Sequence, residues 1–518
     1  MADGELLFRP YFVQQGRGPH LLDWAYASDT HGDAFHSNIT ASASGVRVSD
    51  TEGHPHFAIN VRWNVEGFGY TYMTADNAGA FYELPASGSR ALNLNYELAQ
   101  SRVARNALRL RTHSRDGWKP SRELAGFLEI SEGYLADAQA SSADEPRCGW
   151  LAQNALLYAL RAGEALELER ARFDIRGRGG RRDFFLGCDA RGYFQMNVEL
   201  FLERFSPLFD YATITHYLIS GVFEDFEPEE GRLAFPLRDA LFTQLQQRKF
   251  TIEGRPLWWS YKTTTPDWLR HKSYDQIRTY LEKHIRAVMR HYGDGMYAWE
   301  IVNEFHDWAN ECQLTPDQAV ELTRLACDVA RDANAKVKRL INNCSPFAEY
   351  VQLRKWTDLD AKYPQRTPYQ FLKALVEAGV DFDISGIQMY YPYRDLADIA
   401  LFLERIESLG KRVHLTEVGA SSGATEESVK SGKLPIAFDP YPWHRPWDED
   451  LQADWMEGVY TLAHARPSVE AVNWYDFVDP YSWIANGGFL RSPKGETKPI
   501  VDRLLSLRRE WHIERKVS

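Results

Sequence analysis

From about residue 172 to 515 the chain alternates, eight times, a short apolar run with a stretch of helical period. The runs are DFFLG near 183, ATITHYLI near 212, FTIEGRPLWW near 250, MYAWEIV near 296, RLIN near 339, ISGIQMY near 384, RVHLTEV near 412 and AVNWYDF near 471. Between most of them lie amphipathic segments such as SYDQIRTYLEKHIRAVMRHY and TPDQAVELTRLACDVARDA. In the second of these, Thr315 is placed to cap the helix and Pro316 to occupy its first turn, where a missing N–H does no harm. Repeated strand–helix alternation of this kind predicts an α/β fold, a (β/α)8 TIM barrel, with its working face at the C-terminal ends of the strands.

A chain of 518 residues, 44% hydrophobic, is too long for one core and implies two or three domains. Residues 1–95 read as β-rich: HFAINVRWNV and FGYTYMT cluster strand formers between Gly, Asn, Asp and Ser. A small β-sandwich-like domain is expected there. Its aromatics, Trp63, Phe68, Tyr70 and Tyr72, suit either a core or a carbohydrate-binding face. Residues 96–171 carry apolar positions at helical spacing and predict a helical linker, leaving 172–518 as the catalytic domain.

A formal net charge of −12 argues against nucleic acid as a partner, which requires a basic stripe. No run of about 18 apolar residues is present to span a membrane. The N-terminal MADGELLFRP lacks a basic segment followed by an apolar one. The expectation is therefore a cytoplasmic protein or, with a signal peptide already removed, a periplasmic or secreted one. Five cysteines without CxxC spacing, and no HExxH, give no sign of a disulfide framework, a metal site or a cofactor. The sequence sets no oligomeric state.

The polar residues that close the strands are the candidates for chemistry. One strand ends in Asn303-Glu304 and another in Thr416-Glu417. Two carboxyls at one rim are what cleavage of a glycosidic bond needs, one protonated to donate to the leaving oxygen and one ionised to attack the anomeric carbon. In a retaining enzyme they lie about 5–5.5 Å apart. Glu304 is the candidate acid/base and Glu417 the candidate nucleophile. Tyr390 or Tyr391 is placed to donate to Glu417, and Trp259, Trp474 and Trp483 are candidate stacking platforms for sugar rings. Trp443 and Trp447 belong to a segment that either walls the cleft or covers apolar surface.

At these residues the chain resembles glycoside hydrolase family 10, the endo-β-1,4-xylanase family of (β/α)8 barrels with two catalytic glutamates. Trp299 to Glu304, WEIVNE, resembles the family's W-D-V-V-N-E acid/base motif, and His414 to Val418, HLTEV, its I-T-E-L nucleophile motif. YDFVDPYSW resembles W-G-V-x-D-x-x-S-W through Asp479, Ser482 and Trp483, with Tyr475 in place of Trp. Glu227-Pro228 with Gly231 resembles E-P-x-x-G, and GRPLWWSYKTTTPDW resembles G-H-x-L-V-W-H-x-Q-x-P-x-W. The resemblance covers roughly residues 175–510. It implies that Asn303 binds the sugar hydroxyl next to the reacting carbon.

The departures lie in the sugar-reading motifs. E-N-x-x-K-W has no convincing counterpart in THYLISGVFEDF, Arg255 and Ser260 stand in place of two histidines, and Q-x-H is not reproduced cleanly in GIQMYYPY, which holds Gln388 and Tyr390. Arg255 or Lys262 is then the candidate to supply a missing cation, and His216 a polar contact. The leading expectation is a retaining hydrolase of β-linked, xylan-like polysaccharide or oligosaccharide. Alternatives are an exo-acting or transglycosylating β-glycosidase on another sugar, and a catalytically silent carbohydrate-binding protein.

Overall fold

The computed structural model describes residues 4–11, 24–181, 183–220, 224–390, 394–423, 442–479 and 481–513. Its N-terminal part is built from strands β1 (Glu5–Arg9), β2 (Ala25–Ser28), β3 (Ala34–Phe35), β4 (Asn38–Ser42), β5 (Gly45–Asp50), β6 (Ala58–Val65), β7 (Gly69–Ala75) and β8 (Ser89–Asn93). They form two four-stranded sheets, in the orders β4-β5-β1-β8 and β3-β2-β6-β7. Leu6 and Phe8 from the first sheet and Ile59, Val61, Trp63 and Val65 from the second share one core. Strand β6 shows why: its apolar side chains recur at every second position, the period at which a strand returns to the same face.

Three helices follow, α1 (Leu94–His113), α2 (Arg122–Ala140) and α3 (Glu145–Arg178). Each begins at a side chain that accepts a free N–H of the first turn: Asn93, Ser121 and Asp144. Helix α3 continues past the limit of 171 read from the sequence.

The barrel strands are β9 (Phe185–Asp189), β10 (Tyr211–Thr215), β11 (Thr251–Arg255), β12 (Ala298–Asn303), β13 (Lys338–Asn343), β16 (Ile384–Tyr390), β17 (Arg412–Gly419) and β18 (Val469–Trp474). A short ribbon, β14 (Lys355–Trp356) and β15 (Leu359–Asp360), lies in the loop after β13. Every barrel pairing is parallel, and β18 closes on β9 with Ala471 opposite Phe185. The eight runs read from the sequence are these eight strands. Around them lie α4 (Val198–Phe205), α5 (Pro236–Gln247), α6 (Asp267–Arg270), α7 (Tyr274–Tyr292), α8 (Pro316–Ala333), α9 (Pro368–Glu377), α10 (Leu396–Glu407), α11 (Glu449–His464) and α12 (Pro499–Glu510). Thr315 caps α8 in a reciprocal capping box with Gln318, and Pro316 opens the first turn, as the sequence predicts. Gly254 on β11 is required by close approach, since a Cβ there would stand 2.2 Å from the Trp299 ring. Among the described residues no helix is long and apolar enough to cross a membrane.

The N-terminal sheets and helices are joined to the barrel by buried polar contacts. Arg394 is 4% exposed. Its guanidinium donates to the Tyr26 hydroxyl (2.6 Å), Asn60 Oδ1 (2.8 Å) and Thr74 Oγ1 (3.0 Å), all on the second sheet. On α1, Arg102 pairs with Asp395 (2.6 Å) and Asp398 (3.1 Å) at the start of α10. On α3, Glu164 accepts from the Leu396 backbone (3.0 Å) and the Trp443 indole (3.0 Å). The aromatics Trp63, Phe68, Tyr70 and Tyr72 are all buried, so none presents an open binding face. Trp443 and Trp447 are buried as well, and Trp443 bridges to Gly69 at the start of β7. They cover apolar surface where the sheet meets the barrel.

Candidate active site

At the C-terminal end of the barrel lies a cavity of about 400 Å³, lined by both Glu304 and Glu417. Two irregularities in the strands aim the residues around it. On β12 the pairing with β13 skips Ile301, so that Glu300 and Val302 oppose consecutive residues. Strict alternation would set Glu300 and Asn303 on opposite faces. The extra residue brings both to Asn342, whose amide donates to Glu300 (3.0 Å) and Asn303 (3.1 Å). On β17 the pairing with β16 skips Thr416, so Gln388 faces Glu417. Thr416 then bonds Asn342 inside the barrel (2.5 Å) while Glu417 reaches Arg255 and Tyr390.

Glu304 follows β12 directly and is 7% exposed, with its backbone in the left-handed region at φ +53°. A non-glycine residue held there stores about 1–3 kcal/mol of strain, a pattern that clusters at functional sites. Its backbone N–H donates to Asn342 O (2.8 Å), and its Oε1 accepts from Gln388 Nε2 (2.8 Å). Burial, reinforced by the charge of Glu417, pushes the Glu304 carboxyl up to about 8, against the Gln388 hydrogen bond and the Arg255 charge. Glu304 therefore holds its proton at neutral pH. Glu417 is 6% exposed, and its two oxygens accept separately from the Arg255 guanidinium and the Tyr390 hydroxyl. Arg255 is fully buried, lies 3.5 Å from Glu300, and its guanidinium stands over the Tyr475 ring at 5.3 Å.

The aromatic wall is Trp259, Tyr261 and Trp308, whose rings stack in sequence at 4.9 Å and 5.6 Å. Opposing polar groups come from Tyr217 and Tyr475, whose hydroxyls meet at 3.3 Å, and from Arg191, 4.4 Å over the Tyr475 ring. Of the residues read from the sequence, Asn303, Trp259, Gln388, Tyr390 and Trp483 line the cavity, and Arg255 touches it through Glu417. Tyr391 lies outside the described residues.

Four expectations are corrected. Trp474 is fully buried, donates to Gly487 O (2.7 Å) and packs on Trp455 and Phe489, because its strand position points to the helices. Asp479 is buried against Lys498 (2.6 Å) and the Gly488 N–H (2.8 Å) and holds the loop after β18. Lys262 is 42% exposed and pairs with Asp358 outside the cavity. His216 also faces away, with its ring between the Ile214 carbonyl (2.9 Å) and the Tyr292 hydroxyl (3.0 Å). Its neighbour Tyr217 takes the cavity position, a one-residue parity difference. Arg191, Trp308, Phe347 and Glu349 also line the cavity and were not read from the sequence. They sit in loops or short turns, which carry no periodicity.

The family model for glycosyl hydrolase family 10 matches residues 222–503, more than half of the chain. The chain belongs to glycosyl hydrolase family 10. As a family 10 member it is a glycoside hydrolase with a carbohydrate substrate. It is 23% identical over 279 residues to endo-1,4-beta-xylanase A of Caldicellulosiruptor saccharolyticus, covering 51% of this chain and 75% of that one. It is 22% identical over 284 residues to endo-1,4-beta-xylanase B of Thermotoga neapolitana, covering 54% and 69% respectively. Native xylanase 10B from Thermotoga maritima is a similar solved structure, at 18% identity and TM-score 0.49 over 67% of this chain and 99% of that one. The family match begins after β10, so the N-terminal sheets and α1–α3 lie outside it.

Proposed function

We propose that this family 10 enzyme cleaves β-linked, xylan-like polysaccharide or oligosaccharide with retention of anomeric configuration. Glu304 donates its proton to the leaving oxygen as the glycosidic bond breaks. Glu417 attacks the anomeric carbon and forms a covalent glycosyl–enzyme ester. Glu304, now a carboxylate, takes a proton from water, whose oxygen attacks the same carbon and displaces Glu417. Both glutamates then return to their starting states. Asn303 hydrogen-bonds the hydroxyl beside the reacting carbon, and Trp259 and Trp483 flank the ring.

The observation that carries this reading is the contrast between two carboxyls of one cavity. Glu304 is protonated at neutral pH by burial and by its neighbour's charge. Glu417 is held between a guanidinium and a phenol. An acid and a nucleophile need such divergent surroundings. The xylan-like substrate is supported by what the relatives are named for. The test is to digest unsubstituted xylo-oligosaccharides and record the first product by NMR. A β-anomer that equilibrates later is expected. An α-anomer as first product, or full turnover by Glu304→Gln, overturns the assignment.

A further inference from the structure

Beside the catalytic pair, the cavity holds a third carboxylate in a different situation. Glu349 lies in the loop after β13, where Cys344, Ser345, Pro346 and Phe347 line the same cavity with it. Glu304 and Glu417 each accept hydrogen bonds from neighbouring side chains. Among the described residues no other side chain donates to Glu349; its own backbone N–H does, and Arg394 and Arg62 act on it as nearby charges. The close contacts of the Arg394 guanidinium go to Tyr26, Asn60, Thr74 and Asp398. Burial pushes the Glu349 carboxyl up, against its own backbone N–H and the Arg394 and Arg62 charges, and it keeps acceptor capacity that no described side chain uses.

The loop that carries Glu349 is held by the N-terminal sheets. Ser37 and Gln352 exchange hydrogen bonds, with Gln352 Nε2 donating to Ser37 O at 2.9 Å and the Ser37 hydroxyl donating back at 3.1 Å. Arg354 pairs with Glu52 (2.5 Å). Tyr26, Ala34 and Tyr72 form one buried cluster with Ala348, Tyr350 and Val351, the residues on either side of Glu349.

We infer that Glu349 is a specificity-determining residue that accepts hydrogen bonds from the hydroxyls of a neutral sugar unit, in a position set by the docked N-terminal sheet. The inference rests on the glycoside hydrolase reading of this cavity. A carboxyl that no other side chain occupies has acceptor lone pairs left for sugar hydroxyls, and hydroxyl donors that bond its ionised form offset part of the burial that disfavours it. Adjacent hydroxyls are what an undecorated pyranose offers, and Phe347 supplies an apolar surface next to the carboxylate. A sugar bearing its own carboxylate is repelled at this position. The N-terminal domain, whose Trp63, Phe68, Tyr70 and Tyr72 are buried, then contributes to substrate choice by holding a loop.

The test compares the full-length enzyme with Glu349→Gln and Glu349→Asp on xylotetraose and on a xylo-oligosaccharide carrying a glucuronic acid branch. Removing a charge-assisted hydrogen bond is expected to raise KM for xylotetraose about tenfold with kcat within about threefold. Glu349→Asp recovers part of the loss, and Glu349→Gln narrows the gap between the two substrates. Calorimetric titration of xylotetraose into Glu304→Gln, with and without Glu349→Gln, reads the same loss without turnover. Unchanged KM and unchanged calorimetric affinity in Glu349→Gln overturn the inference. Hydrolysis that survives Glu304→Gln overturns the catalytic reading instead, and the calorimetric arm still decides on Glu349.

Discussion

The two β structures of this chain bury opposite chemistry. The N-terminal sheets close over Phe8, Val61, Trp63 and Phe68, side chains without charge. The barrel lumen holds Arg255 against Glu300 and Glu417, Tyr211 donating to Glu253 (2.5 Å), and His414 facing Glu470 (3.4 Å). Burying apolar area stabilises by about 25 cal/mol per Å², whereas charges taken from water are costly unless each is paired. Around Glu304 and Glu417 this pairing is what the proposed chemistry draws on, whereas the buried pair Asp479–Lys498 serves only to hold a loop. The contrast also sorts the aromatics: rings that fill the sheets are core, and rings at the rim of the charged lumen line the cavity.

The largest effect should come from removing a charge at the cavity itself. Glu417→Gln should lower kcat on the order of 10⁴-fold, since the proposed mechanism gives the attack on the anomeric carbon to Glu417 alone. KM should stay within a few-fold, and the melting temperature should not fall. Loss of folding in place of loss of turnover would make Glu417 a structural partner of Arg255.

Arg255 and Trp63 break or sharpen the comparison directly, because both are fully buried. Arg255→Met strands Glu300 and Glu417 without their cation and should cost about 3–5 kcal/mol of stability, with a severe loss of kcat. Trp63→Ala should cost a similar amount, about 3–5 kcal/mol, by opening a cavity in the sheets. Well below its melting temperature it should keep its kcat. Urea denaturation paired with steady-state kinetics separates the two, and equal loss of kcat in both variants would erase the distinction between regions.

Glu304 gives a pH-dependent version of the same contrast. Its carboxyl sits near 8 in the folded chain, above the ordinary value of 4.5. The folded state therefore binds the proton more tightly than the unfolded chain, and stability falls as pH rises from the ordinary value through about 8. Glu304→Gln removes this liability and should be the more stable protein at pH 8, by roughly 2–4 kcal/mol, with the difference vanishing near pH 4. Wild-type kcat/KM should decline as pH rises through about 8, as Glu304, the proposed acid, loses its proton. Parallel thermal melts across that range check the sign. A gap that widens toward low pH would reverse the assignment of the protonated state.

Much of this was legible in the chain. The eight strands stood out because each apolar run is bounded by a segment of different period, and Thr315-Pro316 marked a helix start through local chemistry alone. Glu304 and Glu417 were visible as acids that close apolar strands. The bulges at Ile301 and Thr416 were not, because an inserted residue shifts which face the following side chains occupy without changing composition. Tyr217 and His216 differ by one step of that parity. Arg255, Lys262 and Asp479 look alike as charged residues near strand ends, and only the long-range partner decides their roles: Glu417, Asp358 and Lys498. Glu349 was invisible for the same reason, since its surroundings are built by a sheet some three hundred residues earlier.

Lys262 offers the smallest effect and a sharp limit on the comparison. It stands seven positions after Arg255 and was an equal candidate for the missing cation, yet it is exposed and paired with an even more exposed Asp358. An ion pair in water gains little, because solvent screens the attraction and two long side chains lose freedom in forming it. Lys262→Ala should therefore change stability by less than about 1 kcal/mol, and KM for xylotetraose should stay within about twofold. The expectation follows from position alone: a cation buried against Glu417 inside the lumen should matter, and one exposed to solvent a few residues beyond its rim should not. A tenfold rise in KM would extend the sugar-reading surface past the cavity, and the boundary between charged lumen and ordinary surface would have to be redrawn to include this loop.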